Sequence, residues 1–140
     1  MPRILGVDLG TRRIGLALSD PSGTLASPYA VLARTGNRKQ EHQAIVAAAR
    51  ENEADRIVVG LPRSLSGKLG PAERSTLEEI DELRAAAPDD ITIDSYDERF
   101  TTVIAQRSLV ESGMRRNARK QVVDKVAAAV MLQSYLEAQP

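Results

Sequence analysis

Cysteine and tryptophan are both absent from this chain of 140 residues. Without cysteine there is no disulfide, no thiolate metal site and no thiol nucleophile, and a reducing compartment is the natural expectation. Aromatic residues are scarce. Tyr29, Tyr96, Phe100 and Tyr135 are the whole set, too few to build a stacking platform for single-stranded bases. The one histidine, His42, falls in the polar start of a helical segment and reads as a solvated surface residue, so no Ser-His-Asp arrangement is supported. No apolar run reaches the length of a membrane span, and the N-terminus lacks the charged-then-apolar layout of a signal peptide. A soluble cytoplasmic protein without a membrane partner is therefore expected. An excess of one charge is missing too: 19 basic and 19 acidic residues cancel, which excludes a polycation that coats nucleic acid as a whole.

What is present begins with size. By the length prior the chain is one domain, 1–140, long enough to bury a core without covalent staples. Charge is unevenly spread. Arg12, Arg13, Arg34, Arg38 and Lys39 are basic clusters near the start, Arg115, Arg116, Arg119, Lys120 and Lys125 form another near the end, and Glu73 to Glu98 is mostly acidic. Separated basic patches can meet a phosphate backbone locally, although on charge alone an ordinary solvated surface accounts for them better.

The apolar pattern predicts an alternation of strands and helices. Arg3–Asp8 and Ile14–Ser19 read as strands joined by a tight turn, with Gly10 and Gly15 beside it. Asp20-Pro21-Ser22-Gly23 has turn chemistry, and Leu25–Ala33 follows as a strand whose Pro28 marks an edge or a bulge. Asn37 and Gln40 have the spacing of a capping box for a helix with Ile45, Val46 and Ala49 inside. Arg56–Gly60 is a short strand apolar enough to be covered on both sides. Pro62–Gly70 is a polar loop, and Gly60–Lys68 lacks the spacing of a Walker phosphate loop; it reads as a substrate-facing loop or a plain connector. Pro71 opens a helix with Leu77, Ile80 and Leu83 inward and Pro88 past its end. Ile91–Tyr96 is the last strand. Thr101 or Thr102 caps a helix ending at Gly113, Arg115–Lys120 is a basic linker, and a final helix runs from Lys120 to Leu136.

The order βββαβαβαα combines an antiparallel meander with right-handed crossovers. It predicts an α/β fold, a five-stranded mixed sheet in the order 3-2-1-4-5 with helices on both faces, which is the ribonuclease H-like arrangement. Three acids stand out on that frame. Asp8 ends the central strand, Glu98 (with Asp97 beside it) follows the last strand, and Asp124 shares a helix face with Ala127, Ala128 and Met131. Carboxylates gathered at strand ends suit Mg²⁺ or Mn²⁺, which take oxygen ligands and keep water for substrate. Two such ions can activate water and stabilise a leaving oxygen in phosphodiester hydrolysis. Each acid also has a plain structural role open to it: a turn cap for Asp8, a helix-start charge for Glu98, an ion pair with Lys125 or Arg99 for Asp124.

Four segments occur in order and at fitting distances: Gly6-Val7-Asp8-Leu9-Gly10, Val58-Val59-Gly60-Leu61-Pro62, Asp97-Glu98-Arg99-Phe100-Thr101-Thr102 and Lys120-Gln121-Val122-Val123-Asp124-Lys125-Val126-Ala127-Ala128. Together they closely resemble the YqgF/RuvX family of bacteria over nearly the whole chain. The resemblance implies a ribonuclease H-like fold and a divalent-metal-dependent nuclease that processes the 5′ end of precursor 16S rRNA in ribosome maturation. It also implies, through similarity to the RuvC resolvases, an alternative activity on Holliday junctions. Carried over, Asp8, Glu98 and Asp124 are the catalytic, metal-binding acids, and Arg99 and Lys125 lie near the scissile phosphate. In RuvC-like enzymes an acid ends the fourth strand, whereas here Gly60 holds that place. Glu98 then reaches across from the fifth strand, or Asp97 serves instead.

The leading expectation is thus a Mg²⁺- or Mn²⁺-dependent nuclease on structured RNA, with Arg12, Arg13, Arg115, Arg116 and Arg119 holding the backbone. The rivals are a branched-DNA resolvase, for which a two-fold dimer is natural, and a non-catalytic RNA-binding assembly factor. A sugar-kinase or actin-type ATPase also begins with Asp-x-Gly-Thr but needs two such domains. Monomer and homodimer are both compatible with the sequence.

Overall fold

Alternation with a period of two gives each central strand an apolar face on either side, and those faces decide where the helices sit. The computed structural model describes residues 2–62, 69–98 and 116–139, with side chains from 124 onward in the last stretch. Within them run β1 (Arg3–Leu9), β2 (Arg13–Ser19), β3 (Ala26–Ala33), α1 (Arg38–Glu51), β4 (Ala54–Leu61), α2 (Pro71–Ala86), β5 (Thr92–Asp97) and α3 (Arg116–Ala138). The expected helix after Thr101 or Thr102, the loop residues 63–68, Arg99 and Arg115 lie outside the described residues.

The sheet has the expected order β3-β2-β1-β4-β5. β1–β2 and β2–β3 are antiparallel, and β1–β4 and β4–β5 parallel. β3 is the edge strand that Pro28 foretold. Leu16 pairs with Ala30 and Ala17 with Pro28, so Tyr29 is the extra residue of a bulge.

Odd positions of β1 and β4 face α1 and α2. Leu5, Val7, Ile57 and Val59 pack there with Ile45, Ala49, Ile80 and Leu83, all fully or nearly fully buried. Each such aliphatic side chain contributes about 1.5–3 kcal/mol by leaving water. Even positions of these strands face α3, where Val58, together with Ala17 of β2 opposite Gly6, meets Ala128, Met131, Leu132 and Tyr135. This second interface is thinner and closer. A Cβ added to Gly6 would lie 2.9 Å from Leu132 Cβ, so the helix rests on bare strand backbone.

Three local expectations are corrected. Leu77 is 38 % exposed; the inner face of α2 is made by Glu73, Thr76, Glu79, Ile80 and Leu83, and Leu77 lies roughly 100° off its centre at 3.6 residues per turn. His42 is 2 % exposed and its Nε2 lies 2.8 Å from Glu79 Oε2, so it is a buried, satisfied residue. The stretch from Arg116 to Lys120 belongs to α3 rather than to a linker, because Arg, Ala, Lys and Gln are good helix formers even where no apolar period shows. Among the described residues no helix is long and apolar enough to cross a membrane.

Candidate active site

The same strand parity that builds the α3 face delivers the acids to it. Asp8 follows Ile4 and Gly6 on β1. Gly60 follows Val58 on the neighbouring β4, where Val7 pairs with Val59. Glu98 follows Asp94 and Tyr96 on β5, where Gly60 pairs with Tyr96. Glu98 therefore has to cross β4 to reach β1, and it crosses over Gly60. A Cβ built on Gly60 would stand 2.5 Å from Glu98 Oε1. The glycine in place of a fourth-strand acid is what admits the fifth-strand acid.

Glu98 and Asp8 are hydrogen-bonded to each other. Burial pushes the Glu98 carboxyl up to about 7, helped by the charges of Asp8 and Asp97. Burial likewise raises Asp8; its bond with Glu98 opposes this, and the charge of Asp124 adds to it. Two carboxyls in contact with one another cannot both stay ionised cheaply, so the pair keeps a shared proton to higher pH than either carboxyl would alone. Of the two adjacent acids, Glu98 is the one that meets Asp8.

Asp124 approaches from α3. Its backbone carbonyl packs on Gly15, and a Cβ at Gly15 would run into that oxygen. Its side chain pairs with Arg13 Nη1 at 3.9 Å, both being about one-third exposed. Arg13 is thus one partner of Asp124, and Arg99 lies outside the described residues. Asp124 lies near enough to Asp8 to raise its pKa, yet among the described residues no three ligating side chains close on a common point at metal-holding distance.

The remaining expected contacts divide by position. Arg12 is exposed on the β1–β2 turn, while Arg13 and Lys125 are half-buried. Arg116 and Arg119 lie in the first turns of α3, on the chain just before Asp124. A cavity of about 600 Å³ borders the turn on the α2 side, walled by Leu9, Thr11, Arg38, Pro62, Ser75 and Thr76. The sequence reading missed Arg34, which grips the turn from behind. Arg34 stood there only as one of a basic cluster, and its partner Glu79 lies 45 residues away.

Known proteins are similar to this chain over nearly its whole length. The model of the RuvX family, described as Holliday junction resolvase, matches residues 2–138. A protein of Thermoanaerobacter pseudethanolicus named "Putative pre-16S rRNA nuclease" is 41 % identical over 138 residues, covering 98 % of this chain and 97 % of that one. A Clostridium tetani protein of the same name is 40 % identical over 135 residues, covering 96 % of each. Among solved structures, Thermus thermophilus RuvC bound to a Holliday junction substrate superposes with a TM-score of 0.53 at 14 % identity, covering 98 % of this chain and 96 % of that one. The Fowlpox virus resolvase with its junction DNA gives 0.56 at 10 % identity, covering 97 % of each. At such identities the structural likeness speaks for the fold.

Proposed function

We propose, from the premise that the chain belongs to the RuvX family, that it is a divalent-metal-dependent nuclease that trims the 5′ end of precursor 16S rRNA in the cytoplasm. The observation that carries this reading is the contact of Asp8 with Glu98 across Gly60. Such a buried carboxyl pair, with a third acid on the facing helix, is costly unless it binds something positive.

The donor set is all carboxylate oxygen, which suits a hard ion, Mg²⁺ or Mn²⁺, held by Asp8, Glu98 and Asp124. When bound, the ion supplies a water activated for attack and charge stabilisation at the leaving oxygen of a phosphodiester. The chain's own residues do the rest. Asp8 and Glu98 would hold the ion as carboxylates, the form in which their shared proton has passed to solvent. Arg13 pairs with Asp124 and balances its charge. Lys125 and Arg99 offset the charge of the scissile phosphate, and Arg12, Arg13, Arg115, Arg116 and Arg119 hold the flanking backbone. Binding by such phosphate contacts falls with salt, and replacing those arginines lowers both affinity and salt slope.

The test is cleavage of precursor 16S rRNA, alongside a four-way DNA junction, with Mg²⁺ or Mn²⁺ and wild type against Asp8→Asn. Asparagine keeps the size and removes the charge. Cleavage of the RNA by wild type alone is the expected result. Symmetric cutting of the junction without RNA cleavage would favour the resolvase reading, which the family description and the fold keep as the second choice. Cleavage of neither by the folded protein would favour a non-catalytic RNA-binding role.

A further inference from the structure

Behind the β1–β2 turn lies a group of mostly buried charges that contributes no side chain to the acid site. Arg34, just past β3, donates from Nε to the carbonyl oxygen of Gly10 at 2.9 Å. Its terminal nitrogens donate to both oxygens of Glu79 on α2, at 2.6 and 3.0 Å, and to Glu41 on α1 at 2.8 Å. Glu41 Oε2 also accepts the backbone N–H of Thr35 at 2.7 Å and of Gly36 at 3.0 Å. His42 completes the set by its contact with Glu79. Glu41, His42 and Glu79 are 5 %, 2 % and 3 % exposed.

Gly10 is held at its other end too. Its amide donates to Arg13 O at 2.9 Å and lies 3.2 Å from Asp8 O. Gly10 is therefore held on both sides, its amide by the turn between Asp8 and Arg13 and its carbonyl by Arg34. The turn has no slack of its own, since a Cβ on Gly10 would lie 2.5 Å from Arg13 O.

Stability does not account for this arrangement well. Buried ion networks can often be exchanged for apolar packing at no loss. Direction accounts for it better. A planar guanidinium donates to two helices and a turn at once, and a lysine ammonium has no such fork.

We propose that Arg34 is a positioning residue for the acid site. Through Gly10 it sets where β1 ends, and so where Asp8 points and where Arg13 meets Asp124. Glu41 and Glu79 hold Arg34 in that pose. The inference rests on the reading that Asp8 and its partners bind a divalent ion.

The experiment is Mn²⁺ binding by calorimetry to the full chain, free of nucleic acid, with circular dichroism melts on every variant. Wild type binds and Asp8→Asn does not. Arg34→Lys keeps the charge, loses the fork and weakens Mn²⁺ binding roughly tenfold, the lower end of what outer-shell partners of a metal site contribute. Exchange of the Gly10 amide quickens in that variant without any metal. Leu83→Ala, a cavity in the buried core of α2, lowers the melting temperature but keeps wild-type affinity. Unchanged affinity in Arg34→Lys, or an equal loss in Leu83→Ala, would overturn the proposal. If Arg34→Lys does not fold, Glu79→Gln takes its place with a smaller expected weakening, and unchanged affinity there overturns it equally. Wild type that binds no Mn²⁺, or Asp8→Asn that binds it as well, would sink the metal reading and this inference with it, a result distinct from a silent Arg34 in a working site.

Discussion

Gly60→Ala should separate folding from function. The backbone of Gly60 lies outside the left-handed region, so alanine fits the strand. Removing glycine's freedom from the unfolded chain stabilises by about 0.4–1 kcal/mol at compatible sites. That raises the melting temperature by up to about 4 °C for a domain of this size. The new methyl, however, would stand 2.5 Å from Glu98 Oε1, and ordinary contact begins at 3.4 Å. The carboxylate must retreat by about 0.9 Å, the difference of those two distances, and in doing so it leaves Asp8. A misplacement of about 1 Å at a reacting centre costs about 10²-fold in rate, equivalent to roughly 2.7 kcal/mol. The assay is single-turnover cleavage at saturating Mn²⁺, with a melt on the same preparation. The expected outcome is a loss near a hundredfold in a protein at least as stable as wild type. Adding Glu98→Gln to Gly60→Ala should cost little more, because both act on one contact. Wild-type cleavage by Gly60→Ala would refute the crossing of Glu98 over Gly60 as the basis of the site. So would a melting temperature lowered by ten degrees, since the methyl would then be clashing with more than a side-chain end.

Gly15→Ala should behave differently, because its methyl meets backbone oxygen of Asp124 rather than a flexible side chain; overpacking of about 1–3 kcal/mol should appear as a lower melting temperature together with lost activity. For pH, Glu98 is pushed up to about 7 from 4.5, so between those values the folded protein keeps a proton that the unfolded chain has released. Stability of the metal-free protein should fall as pH rises through that window, while Mn²⁺ affinity rises across it and levels above it; a flat affinity from pH 5 to 8 would contradict the shared proton. Glu41 moves the other way. Burial works against its charge, but Arg34 and the Thr35 and Gly36 amides outweigh it and hold the carboxyl down at about 2 against 4.5. Its contribution is complete above 4.5 and is lost as pH falls towards 2, so Glu41→Gln should flatten the acid limb of the melting-temperature profile.

The sheet order was readable because short links force antiparallel neighbours and longer crossovers force parallel ones, leaving few topologies. The acids were readable because each stands next to an apolar strand or helix face where a charge is out of place. Their mutual arrangement was only half readable. Gly60 could be seen as a missing acid, but that it clears a path for Glu98 depends on the β4–β5 register, which no local pattern fixes. The Arg34 network was hidden for a similar reason. Arg34, Glu41 and Glu79 are ordinary surface residues in local sequence, and burial arises when two helices close over the residue after β3. His42 was misread on the same account, and Leu77 because a leucine at helical spacing looks inward until the neighbouring helix shows where inward is.

Seating α3 on bare glycine backbone gives the helix a mechanical role. Asp124 shortly before the midpoint of the helix and Leu132 beyond it touch the sheet through Gly15 and Gly6, eight residues or about 12 Å apart along a helix of 1.5 Å rise. Two rigid points of contact make the helix a beam on two supports. A change in side-chain volume under either one tilts the beam and moves the carboxylate it carries, so atom size in the packing beneath helps to set where Asp124 stands relative to the other two acids.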